Sequence, residues 1–252
     1  MNKGLIAVIA LLGTTPLASA ADLPAGPYTK APPPMIAAIY DWSGFYIGIN
    51  GGGGTSHNCW DINNDGINGT GLISPVVREG CHDATGGLVG GQLGYRWQSA
   101  NWVFGVEAQG DWADLSASNT SLFYGPGFVN QTKVDAIGLF AGQVGYAWNN
   151  VLLYVKGGAA VTDSKYNGIV GVVLDQANDT RWGGTVGAGL EVGFAPNWTV
   201  AAEYDHLFMG NSNLNFNFVG GGSSRSDNIH QDLDIATLRL NYRFGGPVIA
   251  KY

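Results

Sequence analysis

The sequence Asn241-Tyr242-Arg243-Phe244 ends the last of four apolar stretches. The three earlier stretches, spaced by roughly 50 residues, end in similar ways: Gly94-Tyr95-Arg96-Trp97, Gly145-Tyr146-Ala147-Trp148 and Gly193-Phe194. Each of these three is followed almost at once by a short polar turn and a new apolar stretch, whereas the opposite connections are long. Short turns on one side, long connections on the other and aromatic residues beside the short turns are typical of a transmembrane β-barrel. The pattern predicts a protein that crosses a bilayer with strands.

The composition agrees with a membrane location. Only 12% of the 252 residues are charged, whereas soluble domains contain about 25%. The N-terminal segment is not followed by a run of about 18 apolar residues, so a spanning helix is not predicted, and a closed barrel is then the structure that pairs every backbone group in lipid. The formal net charge of −7 argues against a nucleic-acid partner, which would require basic clusters.

The first 41 residues are predicted to precede the membrane domain. Lys3, the apolar residues 5–12 and the small residues Ala18-Ser19-Ala20 form the three parts of a secretory signal peptide. The prolines that follow, including Pro32-Pro33-Pro34, favour an extended linker. The predicted organisation is a signal peptide (1–20), a periplasmic linker (21–41), an outer-membrane barrel (42–244) and a C-terminal tail (245–252).

An all-β fold of about eight antiparallel, up-and-down strands is predicted. Each predicted strand exceeds the roughly 9–11 residues that a tilted strand needs to cross a bilayer. An even number of strands places both termini on the short-turn, periplasmic side, and the long segments 55–85, 115–131, 166–179 and 211–229 then face outward. The predicted strands are 42–54, 86–97, 102–114, 132–148, 151–165, 180–194, 198–210 and 230–244.

Alternation along the strands defines two faces. In the third predicted strand, Trp102, Phe104 and Val106 lie opposite Glu107 and Gln109. A soluble secreted barrel would alternate in the same way, but an eight-stranded barrel encloses only enough space for side chains to fill it. The bulky face is therefore predicted to point toward lipid. An interfacial aromatic girdle is predicted at the strand ends, formed by Trp97, Trp102, Trp148, Trp198, Tyr242 and Phe244.

Several motifs together resemble the small outer-membrane immunogenic protein family of alphaproteobacteria, the RopB-type, porin-like barrels. They are the opening stretch 40–48, Gly145-Tyr146 and the closing stretch 240–244. The resemblance implies an OmpA-like eight-stranded barrel that is abundant at the cell surface, supports envelope integrity and is exposed to hosts. Such barrels usually stop at a terminal aromatic that the assembly machinery recognises, whereas this chain continues to Tyr252. Either Tyr242 with Phe244 or Tyr252 is expected to be that assembly signal.

Polar residues on the inward face are the first candidates for function. Charges inside a narrow barrel must be paired or hydrated, and acidic and basic residues occur here in comparable numbers. A lumen plugged by ion pairs is the main interpretation, and a narrow pore gated by exchange among those ions is the alternative. The candidates are Gln92, Arg96, Glu107, Asp111, Gln143, Lys156, Glu191, Glu203, Arg239 and Arg243.

The two cysteines, Cys59 and Cys81, fall in the first long outer segment. In an oxidising compartment a disulfide between them is the expected outcome. A zinc site with the neighbouring His57 and His82 is the alternative. Residues 61–66 also resemble the first half of a calcium loop, but the twelfth position, which should be Glu, is leucine.

Enzyme activity is not predicted. Asp205-His206, and His230 with Asp232, place acids beside histidines near the outer rim, but no serine or cysteine nucleophile accompanies them in a recognisable arrangement. Adjacent residues on a strand also point to opposite faces. No cofactor is predicted.

The sequence thus favours a structural, surface-exposed barrel whose partners are membrane lipid and the assembly machinery. A narrow porin for small ions or solutes is the alternative. A third hypothesis is a receptor or adhesin that binds host or surface ligands through 115–131 and 211–229.

Overall fold

The computed structural model describes residues 40–245, which form a closed barrel of eight strands. Each strand pairs antiparallel with the next, and β1 pairs with β8 to close the cylinder. The predicted all-β, up-and-down architecture is confirmed. No helix within residues 40–245 is long and apolar enough to cross a membrane. The strands are β1 (Gly44–Asp65), β2 (Gly71–Ser99), β3 (Trp102–Thr120), β4 (Val129–Trp148), β5 (Val151–Val170), β6 (Val172–Ala195), β7 (Trp198–Phe218) and β8 (Ser223–Phe244).

The strands are much longer than predicted, with 19 residues in β3 and 29 in β2. Most of the predicted long outer segments are therefore strand, and the first hairpin turns within residues 66–70. The prediction was wrong because it ended each strand where its apolar outward face ended. In β7 the alternation continues, with Asn213 and Asn215 outward and Leu214 and Phe216 buried.

The short turns and both described chain ends lie at the same end of the barrel, which we call the proximal rim. The turns after β2 and β4 contain Ala100 and Asn149 with positive φ of 54° each, a conformation suited to tight hairpins. Trp42 is buried just inside this rim and donates from its indole nitrogen to the Asn149 carbonyl at 3.0 Å. The opposite end is called the distal rim. The predicted signal peptide, most of the linker and the C-terminal tail lie outside the described residues.

A band of apolar side chains, which we call the belt, surrounds the proximal half of the barrel. On β3 it extends from Trp102 to Trp112, and these ten residue steps of a tilted strand rise about 25 Å, close to the height of the lipid-facing band of outer-membrane barrels. The six predicted girdle residues all lie at its proximal edge. A second aromatic band, which was not predicted, marks its distal edge and comprises Trp112, Trp182, Tyr204 and Phe208.

Beyond the belt the barrel continues as a second, polar-walled cylinder, which we call the distal extension. Asp83, Asp114 and Lys133 are outward residues at its base. The cross-strand disulfide between Cys59 and Cys81 lies higher on the same outer wall, where the two residues are direct partners of β1 and β2. The predicted disulfide is thus present, but it connects paired strands and not two points of a loop. The distal extension consists of residues 55–85, 113–135, 162–181 and 209–235.

A charge placed in the middle of the belt tests this assignment. Replacing Val106 with Arg should lower the free energy of unfolding by about 2–4 kcal/mol, because the guanidinium must be inserted into the hydrocarbon layer. Urea unfolding of the protein in lipid vesicles, followed by tryptophan fluorescence, measures this cost. Ser118→Arg, on the exposed wall of the distal extension of the same strand, is the matched control and should change stability by less than about 0.5 kcal/mol. Equal costs for both variants would contradict the assigned belt.

Candidate functional site: the barrel lumen

All ten predicted lumen residues have inward positions and are between 1% and 7% exposed. They do not form one uniform plug. Nine of them lie at the level of the belt in a polar layer, whereas Arg243 lies at the proximal rim. There Arg243 donates to the Ser43 carbonyl at 3.0 Å and to the Pro196 carbonyl at 3.3 Å. Its contacts therefore join the end of β8 to the residue that precedes β1 and to the turn between β6 and β7.

The centre of the polar layer is a network of three carboxylates and two cations. Lys156 Nζ lies 2.6 Å from Glu203 Oε1, 3.1 Å from Asp205 Oδ1 and 3.6 Å from Glu107 Oε1. Arg239 bonds both Glu203 and Glu107, with a distance of 2.5 Å to the latter. Each cation thus bridges several strands, which is the arrangement that compensates for burial of charge.

Two tyrosines complete this network and were missed from the sequence. Tyr46 donates to Glu107 Oε2 at 2.6 Å, and Tyr154 donates to Glu203 Oε2 at 2.5 Å. A Cβ atom at Gly94 or Gly189 would lie 2.4–2.6 Å from the Tyr46 or Tyr154 ring. These inward glycines therefore provide the space that the rings occupy. Such a pairing of glycine with tyrosine on a neighbouring strand requires the register, which the sequence does not display.

A second ion pair lies nearer the proximal rim. Arg96 donates to Glu191 Oε2 at 2.8 Å and stacks 4.4 Å from the centre of the Tyr46 ring. Glu191 also accepts from Asn241 at 3.1 Å and from the Thr199 hydroxyl. With this many partners the buried carboxylate is compensated on every side.

The remaining predicted lumen residues extend the polar layer. Gln143 accepts from Arg96 Nε at 3.3 Å, and Gln92 donates to Asn241 Oδ1 at 2.7 Å. Asp111 accepts from Gln109 at 2.8 Å. Asp205, named from the sequence only as a possible catalytic acid, belongs to the lumen network. Its inward position could have been predicted, because it lies on the same face of β7 as Glu203.

An apolar layer, which was not predicted from the sequence, crosses the lumen immediately beyond the polar one. Six strands contribute to it, and its members are at most 6% exposed. The inward face was expected to be polar, which fails here because the inward positions change from polar to aliphatic partway along these six strands. The layer consists of Ala84, Leu88, Leu115, Val134, Ile137, Leu139, Ala160, Leu207, Met209, Leu233 and Ile235.

The interior of the distal extension contains a third layer built around Arg225. Its guanidinium contacts Glu79 at 3.0 Å, Asp175 at 3.1 Å and Asp227 at 2.9 Å. The rings of Trp60, Phe216 and Phe128 surround it, with Phe216 centred 4.5 Å away. Burial raises the pKa of Asp227 from 3.8 to about 8; Arg225 opposes this effect, whereas Glu79 and Asp175 add to it.

The alternative metal sites are not assembled. Three of the four proposed zinc ligands, His57, Cys59 and Cys81, lie within 4.8 Å of one another on the outer wall, but the two cysteines are joined in a disulfide. The fourth, His82, points inward. In the proposed calcium loop, Asp61 pairs with Arg78 on the outer wall. Asp65 instead accepts from Tyr124 at 2.9 Å, because β1 continues as strand through this segment.

Strand alternation separates the first acid–histidine motif, whereas the second, His230 with Asp232, stays together on the outer wall. Asp205 points into the lumen, while His206 lies outside and contacts Asp234 at 2.7 Å. His230 contacts Asp232 at 2.9 Å, also on the outer wall.

Comparison with known proteins identifies the family. Residues 6–244 match the family model described as "Outer membrane protein beta-barrel domain". The chain belongs to this family. It is 30% identical over 227 residues to the 31 kDa outer-membrane immunogenic protein of Brucella melitensis, covering 85% of this chain and 90% of the relative. It is 28% identical to the 25 kDa outer-membrane immunogenic protein of Brucella abortus, covering 96% and 98%.

A solved structure shares the fold. The outer membrane protease OmpT from Escherichia coli aligns with a TM-score of 0.51 and 10% sequence identity, covering 80% of this chain and 97% of OmpT. At this identity the likeness concerns the fold alone. Family and fold place the protein in the outer membrane of a Gram-negative cell, and the predicted resemblance to the alphaproteobacterial immunogenic proteins is confirmed.

The Arg225 layer predicts a specific pH dependence. Because the folded-state pKa of Asp227 lies above its unfolded value, the folded state binds more protons between about pH 4 and pH 8, so stability should fall as pH rises through this range. Asp227→Asn keeps the side-chain shape without the ionisation. Between pH 5 and pH 8 the wild-type protein should lose at least about 1 kcal/mol relative to this variant. Urea unfolding at both pH values measures the difference, and parallel pH profiles would refute the assignment.

Proposed function

We propose that the protein is a closed structural barrel that supports the integrity of the outer membrane and presents its distal rim to the exterior. The observation that supports this most directly is the apolar layer of the lumen, to which six strands contribute buried side chains. An ion or polar solute moving along the barrel axis would have to leave its water at this layer, which is costly without compensating partners.

The other layers reinforce the obstruction. The proximal mouth contains buried Trp42 packed with Val103, Leu152 and Tyr154. The Lys156–Arg239 network and the Arg225 layer lie on either side of the apolar layer. A continuous wet path would have to bypass every layer, so this arrangement is better suited to rigidity than to transport.

A narrow porin is the alternative function, and one observation favours it. Lys156 has three carboxylates within 3.6 Å, and Arg239 bonds two of them. Such shared partners permit exchange of ion pairs without leaving a charge unpaired. Exchange within this layer would nevertheless leave the apolar layer in place.

The proposed orientation puts the proximal rim in the periplasm. Both described chain ends lie there, in agreement with a secretory signal and linker at the N-terminus. Tyr242 and Phe244 are at the end of β8, and their rings lie 5.1 Å apart beside the lipid-facing edge. This position supports their role as the signal for the assembly machinery. Tyr252 lies outside the described residues.

The proposed function does not include catalysis. His82 comes nearest to a catalytic arrangement, with its Nε2 2.8 Å from the Thr132 hydroxyl and its Nδ1 2.7 Å from the Asn119 side-chain oxygen. Burial lowers the pKa of His82, which favours a neutral ring able to accept the hydroxyl proton. Thr132, however, has 0% exposure, so a substrate would have no access to it.

Binding of host or surface ligands is a further hypothesis. The expected binding site is smaller than the two segments named from the sequence. The segments 115–131 and 211–229 are mostly strand, so their deletion would remove parts of the barrel wall. The turns 121–128 and 219–222 are the parts of these segments that face outward at the distal rim. Leu122 is 74% exposed and Val219 61%. Replacing only these turns with short glycine turns tests ligand binding without breaking the strands.

Single-channel recording distinguishes the structural barrel from the porin. The refolded mature protein should give no steady conductance steps in a planar bilayer, and Glu203→Ala with Arg239→Ala should also remain silent, because the apolar layer is intact. The double variant should instead lose about 3 kcal/mol or more of unfolding free energy. Steady conductance of the wild type, or its appearance in the double variant, would favour the porin.

An exposed ion pair supplies the matched control. Asp114 and Lys133 are 3.2 Å apart on the outer wall, with side chains 78% and 44% exposed. Replacing both with Ala should cost less than about 1 kcal/mol. A similar loss from both double variants would mean that the lumen network does not stabilise the barrel beyond an ordinary surface pair.

A further inference from the structure

The outer wall of the distal extension carries a surface of side-chain amides on β6 and β7. Asn211, Asn213, Asn215 and Asn217 occupy every second position of β7 and point outward, while the residues between them are mainly buried. Gln176 and Asn178 extend this surface onto β6. We call these six residues the amide wall.

The amide wall is uncharged and mostly without partners inside the protein. Within the described residues, Asn215, Asn217, Gln176 and Asn178 make no side-chain hydrogen bond, and every outward residue of β6 and β7 above the belt is neutral. The outer wall on β3, β4 and β5 differs, because Asp114, Lys133, Asp135 and Lys165 form salt bridges there. This charged surface adjoins the amide wall, since Lys165 is the direct β5 partner of Asn178. The six side chains of the amide wall are therefore neutral donors and acceptors, and the charged groups beside them, Lys165 on β5 and the His230–Asp232 pair on β8, lie at its two edges.

The backbone beside the amide wall is also unusual. The ladder between β6 and β7 is interrupted between the pairs Gln176–Asn217 and Gly184–Phe208. Arg181 reaches across this interruption from inside and donates to the carbonyls of Gly210 and Ile229, at 3.1 and 3.0 Å. Peptide groups along the interruption add to the hydrogen-bonding capacity of the amide surface.

The position of the amide wall indicates what covers it. The belt ends on these strands at Trp182 and Phe208, and the amides begin within a few residues above them. A lipid whose acyl chains cover the belt places its headgroup against this surface. Amides donate and accept at once, which matches the paired donor and acceptor character of sugar hydroxyls.

We infer that the amide wall binds the oligosaccharide of the outer-leaflet glycolipid, so that the barrel is held laterally by sugars as well as by acyl chains. The inference rests on the proposed orientation, which puts the distal extension outside the cell. An extended peptide added to the interrupted β6–β7 ladder is the competing occupant. The chemistry favours sugar, because outward amides occupy every second position of the part of β7 that lies in the distal extension, and they continue onto β6 along the interruption.

Titration of the folded, full-length mature protein with a defined sugar tests the inference. The probe is the water-soluble oligosaccharide released by mild acid from alphaproteobacterial lipopolysaccharide, and the side-chain amide resonances of ¹⁵N-labelled protein report binding. Replacing Asn211, Asn213, Asn215 and Asn217 together with Ala should weaken affinity at least tenfold. The control, in which Ser116, Ser118 and Thr120 on the opposite wall are replaced with Ala, should change it less than twofold. Lipid A without sugar should bind all three proteins equally.

A more conservative variant keeps the test informative if the fourfold Ala variant misfolds. If the fourfold Ala variant does not fold, as judged by heat-dependent electrophoretic mobility, Asn215→Asp with Asn217→Asp keeps the side-chain size while replacing two amide NH2 groups, four N–H donors in all, with acceptor-only carboxylates. This pair should weaken binding at least threefold. Equal affinity of wild type and variant for the oligosaccharide would overturn the inference. Displacement of the sugar by a Thr/Val-rich extended peptide at lower concentration would overturn it in favour of strand addition.

A second measurement separates this inference from the orientation on which it rests. Leu122→Cys, in the exposed turn at the distal rim and outside the amide wall, should react with a membrane-impermeant maleimide on intact cells. If it does not react, the proposed orientation is wrong. If it reacts and the oligosaccharide still fails to bind, the orientation stands and the amide wall has no role in sugar binding.

Discussion

Every feature of this barrel depends on the pairing of β1 with β8. Lipid offers no hydrogen-bond partners, so each backbone group of a spanning sheet must find its partner in another strand. The β1–β8 ladder extends from Phe45–Phe244 to Asp65–Arg225, which closes the cylinder well beyond the belt. Closure fixes which side chains face inward, and the interior is consequently narrow enough for single side chains to span it.

This narrow interior explains why charge and apolar bulk occur in separate layers. A buried cation needs carboxylates from several directions, which only neighbouring and opposite strands of a small barrel provide. Lys156 and Arg239 obtain theirs from β3 and β7. Aliphatic side chains such as Leu139 and Leu207 fill the next level and separate these ions from Arg225. Because closure fixes the radius of the barrel, the side chains inside it fill the lumen as separate charged and apolar layers.

Strand number, topology and the lipid-facing surface could be predicted from the sequence, because they depend on alternation within about ten residues. The inward position of Glu107 or Arg239 follows from the same alternation. The contact between Tyr154 and Glu203 does not, since it depends on the register of β5, β6 and β7. The length of β7 was missed for a different reason. Its outward face changes from apolar to amide at the end of the belt, and a rule based on bilayer thickness cannot detect strand that continues in water.

The extended strands have a consequence for immune recognition. On β8, Ser223 lies eleven residue steps from Asp234 at the base of the distal extension, which corresponds to a rise of about 25 Å for a tilted strand. Little of this height consists of flexible loop. Neighbouring residues on its surface, such as Asn63 and Asn213, come from strands far apart in sequence and are joined by a hydrogen bond of 3.3 Å. Epitopes on this wall are therefore conformational, and linear peptides taken from the same segments would reproduce only one edge of each.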